Sequence, residues 1–287
     1  MPHLKVYHPM PRFPALSLSG SVCELRCQHC TATYLAGMMP VTTPEMLLAA
    51  GRRLQERGAL GALLSGGSTR EGAILSLKPM LAAIRRLKAE TGLLFNLHPG
   101  LLDESTAAML AGAIDFASLE IPSTETVQRV FGLQATTDDY RATYVHLRGA
   151  GIPVIPHITV YDGSEAALLE GITSPETVVV IVFSPTPGTP MAATPPPSPE
   201  TVDKVFRQVR TLFPEAELAL GCMRPRGVEI RVALEMAALK AGATRIELPA
   251  RATLEAARAL GYAIIPFDTC CALPRQFEPQ LMSPQSP

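Results

Sequence analysis

The chain has 287 residues, of which 47% are hydrophobic and 18% charged, and its formal net charge is −1. This composition allows a sizeable core and excludes extensive disorder. Lysine and arginine are scattered rather than clustered, which excludes the basic face that a nucleic-acid backbone requires.

The predicted elements alternate along the chain between short apolar runs and segments whose apolar residues recur every three or four positions. The runs predict the strands Ala15–Val22, Ala62–Gly66, Leu93–His98, Phe116–Ile121, Val154–Val160, Thr177–Ser184, Glu217–Cys222 and Thr244–Leu248. The segments between them predict helices that include Pro44–Arg57, Leu77–Thr91, Pro199–Leu212 and Val228–Lys240.

Helix boundaries carry their own signals. Thr43-Pro44 and Ser198-Pro199 each place a capping hydroxyl before a proline at the first helical position. Glycines follow four helix ends, as a left-handed C-cap requires: Gly58, Gly92, Gly151 and Gly242.

Eight strands alternating with helices predict an α/β fold with a parallel sheet, closed into a (β/α)8 TIM-type barrel. A partial, open barrel is the alternative. We expect one domain over residues 1–287, in which 263–287 form a C-terminal extension. Residues 281–287 are polar and proline-rich and are predicted to fray. The proline-dense loop 185–199 is either a stiff connector or a cover for a site.

The N-terminal residues contain no apolar stretch of signal-peptide length, and the longest apolar run, Val178–Phe183, is too short to cross a bilayer. We therefore expect a cytoplasmic protein that binds no membrane. Cytosolic thiols stay reduced, so six cysteines indicate metal binding or catalysis rather than disulfides.

Three of these cysteines, which we call the loop cysteines, follow the first predicted strand as Cys23-Glu-Leu-Arg-Cys27-Gln-His-Cys30. A loop with this spacing can give three thiolates to a [4Fe–4S] cubane and leave one iron without a protein ligand. The amino and carboxylate groups of S-adenosylmethionine can chelate such an iron. The alternatives are a structural zinc, for which His29 inside the loop is poorly placed as fourth ligand, or inert thiols.

The other three, the late cysteines, are Cys222 at the end of the seventh predicted strand and the pair Cys270-Cys271. Barrel sites form where strands end, and Ala263–Phe267 can bring the pair back to that end. Three further thiolates suggest a second, auxiliary cluster. Burial as small hydrophobic residues is the alternative.

Polar residues also stand at other strand ends, where they are candidates for cofactor binding. Ser65-Gly66-Gly67 ends the second predicted strand, and its glycines allow a ligand close to the backbone. Because the segment lacks a Gly-Lys-Ser/Thr, it does not indicate nucleoside triphosphate binding. The further candidates are Asn96, His98, Ser118 and Glu120. No residue is predicted as catalytic.

The loop cysteines resemble the signature of the radical S-adenosylmethionine superfamily, whose barrel is partial and open. Asn96-Leu-His-Pro-Gly and Pro187-Gly-Thr-Pro-Met resemble the biotin synthase branch. Ser65–Gly67, Gly221–Gly227 (Gly-Cys-Met-Arg-Pro-Arg-Gly) and Cys270–Leu273 (Cys-Cys-Ala-Leu) look most like one subunit of the two-component lipoyl synthase.

The resemblance implies a role for each matching residue. The loop cysteines would bind the catalytic cluster, and the late cysteines the auxiliary [4Fe–4S] cluster. Ser65, Gly66 and Gly67 would contact the methionine end of S-adenosylmethionine, and Glu120 would lie near its ribose. His29 stands where an aromatic residue is frequent and can stack on adenine, whereas Ser68 replaces a usual glutamate. The fourth auxiliary ligand stays open between Arg224, Arg226, a serine and exogenous sulfide.

The resemblance also implies the reaction, which is sulfur insertion into a protein-bound octanoyl-lysine after hydrogen abstraction by a 5′-deoxyadenosyl radical. The auxiliary cluster would donate the sulfur, which makes the chain a sulfurtransferase of lipoate biosynthesis. Expected partners are an octanoylated lipoyl carrier protein, the second synthase subunit and a reductant such as ferredoxin or flavodoxin. The alternatives are another sulfur-inserting enzyme of the biotin synthase type and a non-catalytic iron–sulfur or zinc scaffold.

Overall fold

The computed structural model describes residues 1–281, which form strands and helices in regular alternation. The strands are β1 (His3–Tyr7), β2 (Ala15–Ser17), β3 (Met39–Pro40), β4 (Gly61–Ser65), β5 (Leu94–Leu97), β6 (Phe116–Glu120), β7 (Val154–Val160), β8 (Thr177–Val182), β9 (Glu217–Leu220), β10 (Arg245–Glu247) and β11 (Ala263–Phe267). The α-helices are α1 (Pro44–Glu56), α2 (Leu77–Thr91), α3 (Glu104–Leu110), α4 (Thr137–Gly149), α5 (Pro199–Leu212), α6 (Val228–Lys240), α7 (Arg251–Ala259) and α8 (Glu278–Leu281).

The chain divides into two compact units. The first unit contains Met10–Val154 and Thr186–Met191, and the second contains Met1–Pro9, Ile155–Pro185 and the residues from Ala192 onwards. The single domain over 1–287 stays a prediction. Of the tail expected at 281–287, Leu281 ends α8, and residues 282–287 lie outside the described residues.

In the first unit, β2 pairs in parallel with β3 and β4, β4 with β5, and β5 with β6. The inward side chains of these strands are almost wholly buried, among them Leu16, Leu64, Phe95 and Phe116. Helices α1 and α2 pack on each other so closely that a Cβ at Gly51 would lie 2.2 Å from the Leu87 side chain. The strands therefore end on a core that is fixed by close packing.

In the second unit, parallel pairs join β7 to β8, β8 to β9, β9 to β10, β10 to β1 and β1 to β11. The side chains of β8 are largely buried on both faces, from Thr177 to Val182, as is typical of a parallel sheet covered by helices. Charged residues interrupt this apolar pattern on β9 and β10, where Glu217, Arg245 and Glu247 lie inside the protein.

These elements confirm most of the sequence prediction. Helices α2, α5 and α6 begin and end where predicted, and Thr43 and Ser198 accept hydrogen bonds from the backbone N–H groups of Met46 and Thr201 at 3.2 Å. The four predicted C-cap glycines have positive φ angles. The α/β class with parallel strands is therefore confirmed.

Several predicted strands were one or two residues too long, one was too long by five, and three strands were not predicted. Ala15–Val22 is a strand only as far as Ser17, because the hydroxyl of Ser17 bonds to the carbonyl of Gly20, whose φ is +61°, and turns the chain. Strands β1 and β3 and the strand character of Ala263–Phe267 were missed. Within residues 1–281, no helix has both the length and the apolar character that a bilayer crossing requires.

Candidate functional site

The loop cysteines lie in the segment between β2 and β3, which is tied to the end of β4. The Ser19 hydroxyl accepts a hydrogen bond from the backbone N–H of Gly67 at 2.7 Å and donates one to the carbonyl of Val22 at 2.8 Å. The backbone N–H of Ser68 points at the sulfur of Cys23, 3.4 Å away. Backbone and side-chain contacts thus fix where this loop begins.

Gly67 allows the two segments to approach closely. A Cβ at this position would lie 2.0 Å from the carbonyl oxygen of Val22 and 2.6 Å from Cys23. A side chain cannot fit there without moving the backbone that carries the first thiol. This close approach explains the glycine, because its φ is not in the left-handed region.

The cysteine loop also stores backbone strain. Arg26, Thr31 and Ala32 have φ angles of +47°, +46° and +68°, which non-glycine residues rarely adopt. Two backbone N–H groups, from Cys30 and Thr31, converge on the carbonyl of Cys27 at 3.1 and 2.8 Å. Such strain costs about 1–3 kcal/mol per residue and collects at functional sites.

The three loop cysteines face one pocket with a volume of about 310 Å³. That volume is in the range of small-molecule sites. Six of the eight predicted cofactor residues line the same pocket, together with Phe131 and Tyr140: Ser65, Gly66, Gly67, His29, His98 and Glu120. The structure therefore brings the sulfurs, the glycine segment and a carboxylate together, as the sequence analysis expects.

The thiols of Cys27 and Cys30 are hydrogen-bonded to each other. The bond from Cys27 lowers the pKa of Cys30 to about 4, although burial opposes this shift, and the pKa of Cys27 rises correspondingly. The imidazole of His29 contributes to the lowered pKa of Cys30. The pair therefore holds one thiolate readily, which is the form that binds iron.

Other polar groups in the pocket are kept uncharged by their surroundings. Solvent reaches His98, but the enclosing protein disfavours the imidazolium and lowers the pKa of His98 to about 4. The pKa of Tyr140 is raised, chiefly by burial and then by the charge of Glu120. His29 packs at 5.5 Å against the Phe131 ring, and its buried Nδ1 has no hydrogen-bond partner within the part of the chain that the structure describes.

Asn96 and Ser118, the two remaining predicted residues, are placed differently. Both are buried, with 2% and 4% of their surface exposed, and the amide of Asn96 donates a 3.0 Å hydrogen bond to the hydroxyl of Ser118. They thus connect β5 to β6. A cofactor-binding role for them stays a prediction.

The proline-dense loop contributes to the first unit through Thr186–Met191. The hydroxyls of Thr186 and Tyr34 lie 2.6 Å apart, and Tyr34 lines the pocket. Thr186 and Thr189 are buried, and the Thr189 hydroxyl donates to the carbonyl of Thr186. The contact between Thr186 and Tyr34 favours the prediction that this loop covers a site over the prediction that it is only a stiff connector.

The late cysteines converge in the second unit around a residue that the sequence analysis did not single out, Glu247 at the end of β10. Its side chain accepts hydrogen bonds from the thiols of Cys271 and Cys222 and, at 3.2 Å, from the backbone N–H of Cys271. Burial raises the pKa of Glu247 and of the Cys271 thiol, and Cys270 adds to the shift at Cys271. The Cys222 side chain is exposed to solvent, although the surrounding protein raises its pKa as well. These groups therefore favour their protonated forms, and a cation that entered the cluster would favour the ionised ones.

Arg224 holds the two loops that carry Cys222 and Glu247. Its guanidinium forms a buried ion pair with Glu235, 2.6 Å long, and donates to the carbonyls of Gly221, Glu247 and Leu248. The φ of Leu248 is +49°, a strained value that turns its carbonyl towards Arg224. With its donors used in this way, Arg224 is a positioning residue, and Arg226, the other arginine considered as a ligand, is exposed.

Arg245 holds the segment that carries Cys270 and Cys271. It is fully buried on β10 and donates to the carbonyls of Cys271 at 2.9 Å and Leu273 at 2.7 Å. It also pairs with Glu217 and, at 2.8 Å, with Glu278. The sequence contained a signal for Arg245, because an ionisable residue in a buried strand requires a buried partner.

Among residues 1–281, no group of three or more His, Cys, Asp or Glu side chains is arranged to hold a single metal ion. A cubane cluster distributes its ligands over different irons. The donor sets of both sites, three cysteines each, have the composition that such clusters take.

The fold is shared with several solved structures, although no family model matches the chain. Methylornithine synthase (PylB) superposes with a TM-score of 0.59 and 19% identity, over 85% of this chain and 72% of that one. The maturase HydG from Carboxydothermus hydrogenoformans superposes with a TM-score of 0.62 and 16% identity, over 96% of this chain and 70% of that one. Native anSMEcpe with bound AdoMet superposes with a TM-score of 0.51 and 13% identity, over 74% of this chain and 61% of that one.

These likenesses show a partial, open (β/α) barrel, which was the predicted alternative to a closed barrel. In sequence, the chain is similar to the biotin synthase of Syntrophotalea carbinolica, with 28% identity over 215 residues. That match covers 69% of this chain and 64% of the relative, less than two thirds of its length. Together the comparisons show a fold shared with these structures and a sequence similar to that of a biotin synthase.

Proposed function

We propose that the first unit binds a [4Fe–4S] cluster on the loop cysteines and S-adenosylmethionine in the adjoining pocket. One observation carries this proposal: three cysteines share a pocket of about 310 Å³ with Ser65, Gly66 and Gly67. The orphaned Nδ1 of His29 fits a polar ligand. When bound, these cofactors supply one-electron cleavage of the sulfonium and hence a carbon radical.

The residues of the pocket then have distinct tasks. Cys23, Cys27 and Cys30 hold the cluster, and the strained loop fixes their spacing. Ser65, Gly66 and Gly67 line the part of the pocket proposed for the methionine end of the cofactor, while Glu120 offers a carboxylate to its ribose hydroxyls. His98 stays neutral at physiological pH because its pKa is about 4, so it adds no positive charge beside a cationic sulfonium.

For the whole protein, we propose one subunit of a two-component lipoyl synthase, which inserts sulfur into octanoyl-lysine on a lipoyl carrier protein. An unactivated C–H bond requires a carbon radical, and a second cluster on the late cysteines is the proposed sulfur source. The grouping of Cys222, Cys270 and Cys271 around Glu247 supports this cluster. A second synthase subunit and ferredoxin or flavodoxin complete the proposed system, in the cytoplasm.

A second candidate is a different sulfur-inserting enzyme of the biotin synthase type. The sequence likeness to a biotin synthase favours it, because that likeness covers 69% of the chain. The two candidates share the first site and differ only in the acyl substrate.

Anaerobic reconstitution tests the proposal in two stages. We expect about eight irons per chain, from two [4Fe–4S] clusters, and cleavage of S-adenosylmethionine under reducing conditions. The variant Cys27→Ser is expected to lose the cleavage and about half of the iron. Four irons without cleavage in the unaltered protein would indicate a scaffold instead.

The second stage adds an octanoylated lysyl peptide and the partner subunit. Sulfur in the peptide, detected by mass spectrometry, supports the lipoyl synthase assignment. S-adenosylmethionine cleavage without sulfur transfer to that peptide favours the second candidate. The matched control is Cys222→Ser, which should cleave S-adenosylmethionine normally but transfer no sulfur.

A further inference from the structure

Glu247 is a buried carboxylate whose described hydrogen bonds come from the cysteine cluster. Only 6% of its surface is exposed, and its Oε2 accepts the backbone N–H of Cys271 at 3.2 Å. The thiols of Cys222 and Cys271 complete these contacts. A buried carboxyl group in a protein is protonated, paired with a cation or bound to a metal.

The neighbouring cation, Arg224, bonds elsewhere. Its Nε and Nη2 atoms donate to the carboxylate of Glu235 at 3.1 and 2.6 Å. Its remaining contacts reach main-chain carbonyls, including the carbonyl of Glu247 itself at 2.8 Å. Arg224 therefore orients the Glu247 backbone and acts on the carboxylate only through space.

A four-iron cluster on the late cysteines has one iron more than it has thiolates. We propose that Glu247 supplies the fourth protein ligand, through a carboxylate oxygen, to the cluster held by Cys222, Cys270 and Cys271. This inference rests on the auxiliary cluster of the proposed function. It replaces the two arginines considered from the sequence, since Arg224 is occupied and Arg226 is exposed.

One iron of the proposed cluster would have a carboxylate ligand, whereas the other three would have thiolates. Thiolates are soft ligands that suit iron–sulfur clusters, whereas a carboxylate is a harder ligand that iron also accepts. The iron bound by Glu247 is then the corner with the weaker protein ligand, and the one that exchanges its ligand most readily. The three cysteines keep the rest of the cluster in place.

The test isolates the second site in full-length protein. The triple variant Cys23→Ala, Cys27→Ala, Cys30→Ala removes the first site and should hold about four irons after reconstitution. Onto it we add, one at a time, Glu247→Gln, Glu247→Cys and the control Glu255→Gln, whose carboxylate is in an exposed ion pair with Arg251. Iron and sulfide contents and ⁵⁷Fe Mössbauer spectra are the readouts, with circular dichroism as a check of folding.

Glutamine keeps the acceptor for the N–H of Cys271 but is a poor ligand for iron. We expect Glu247→Gln to lose about one of the four irons and the distinct Mössbauer component of an oxygen-bound site. Glu247→Cys should retain about four irons with all sites in a thiolate environment. Glu255→Gln should match its parent.

Two outcomes overturn different claims. If the triple variant binds no cluster, the auxiliary site of the proposed function fails. If it binds about four irons and Glu247→Gln gives the same iron content and the same spectrum, the second cluster stands and the ligand role of Glu247 is wrong. Should Glu247→Gln misfold, an unchanged spectrum for Glu247→Cys would also contradict the proposal.

Discussion

The loop cysteines and the late cysteines are held in place by different physical means. The loop cysteines lie within eight consecutive residues, and the loop is shaped by strained backbone and by a glycine that permits close approach. The late cysteines come from segments about fifty residues apart and depend on two buried arginines that gather carbonyl groups. Contiguous sites can be fixed by local geometry, whereas a site assembled from distant segments needs buried charges that bridge them.

The largest effect should follow the loss of Arg224. Replacement by methionine removes the buried one of two arginines that pair with Glu235 and leaves only the partly exposed Arg231. Breaking a buried ion pair costs about 3–5 kcal/mol, and Arg231 should hold the loss near the lower end of that range. We expect a lower midpoint of urea unfolding and the loss of the second cluster's iron, with the first cluster retained. Arg251→Met is the control, since its ion pair is exposed and worth about 0–1 kcal/mol. Equal midpoints for the two variants would show that Arg224 does not hold the late cysteines.

Gly67→Ala should disturb the loop cysteines and leave the late cysteines unchanged. The new methyl group would collide with the carbonyl of Val22, and such overpacking costs about 1–3 kcal/mol. We expect reduced iron at the first site, reduced S-adenosylmethionine cleavage and an unchanged second cluster. Gly149→Ala serves as control because a Cβ there meets nothing within 4 Å. A fully loaded first site in Gly67→Ala would refute the role of close approach.

The buried ion pair between Arg224 and Glu235 should also make the free energy of unfolding depend on pH. Burial opposes ionisation of Glu235, but bonds from Thr253 and Ala250 and the charge of Arg224 outweigh it, so the pKa of Glu235 lies below its usual value. Its stabilising contribution is complete above the usual glutamate pKa and is lost as the pH falls through the lowered one. Urea unfolding between about pH 7 and pH 3 should show this loss, and Glu235→Gln should flatten it. Parallel curves would contradict the assignment.

The smallest effect concerns the contact between Tyr34 and the proline-dense loop. Tyr34→Phe removes a 2.6 Å hydrogen bond to Thr186, which is worth about 1 kcal/mol. Hydrogen exchange in residues 186–191 should accelerate by about fivefold. Tyr262→Phe in the second unit controls for loss of a tyrosine hydroxyl and should leave this segment unchanged. Unaltered exchange in Tyr34→Phe would mean that other contacts hold the loop.

Local patterns predicted much of the fold. Helices α2, α5 and α6 were placed to the residue, because amphipathic spacing and capping signals act within a few positions. Strands β1 and β3 were missed because they are short and partly polar, so that pairing with neighbours rather than propensity determines them. The turn at Ser17 needed knowledge of a side-chain bond that period-two alternation does not report.

The sequence likewise predicted the parts of the sites that depend on local spacing and missed those that depend on the folded chain. The spacing of the loop cysteines identified the first donor set, and the pocket contains six of the eight cofactor candidates. Asn96 and Ser118 lie two residues before His98 and Glu120 along the chain, but they are buried and bonded to each other, and strand alternation does not report this bond. Glu247 was missed because a carboxylate in a strand carries no spacing signal, and only the folded chain brings it to cysteines from two other segments.

Burial of Arg245 has a practical consequence for handling the protein. Its side chain is fully enclosed, and its partners Glu217 and Glu278 have only 14% and 13% of their side-chain surface exposed. The screening length falls from about 10 Å at 0.1 M salt to about 3 Å at 1 M, so concentrated salt weakens exposed charge pairs but acts far less on enclosed ones. The polypeptide around Cys271 should therefore keep its shape in the concentrated salt used for hydrophobic chromatography, whereas the exposed ion pairs on helix surfaces should weaken.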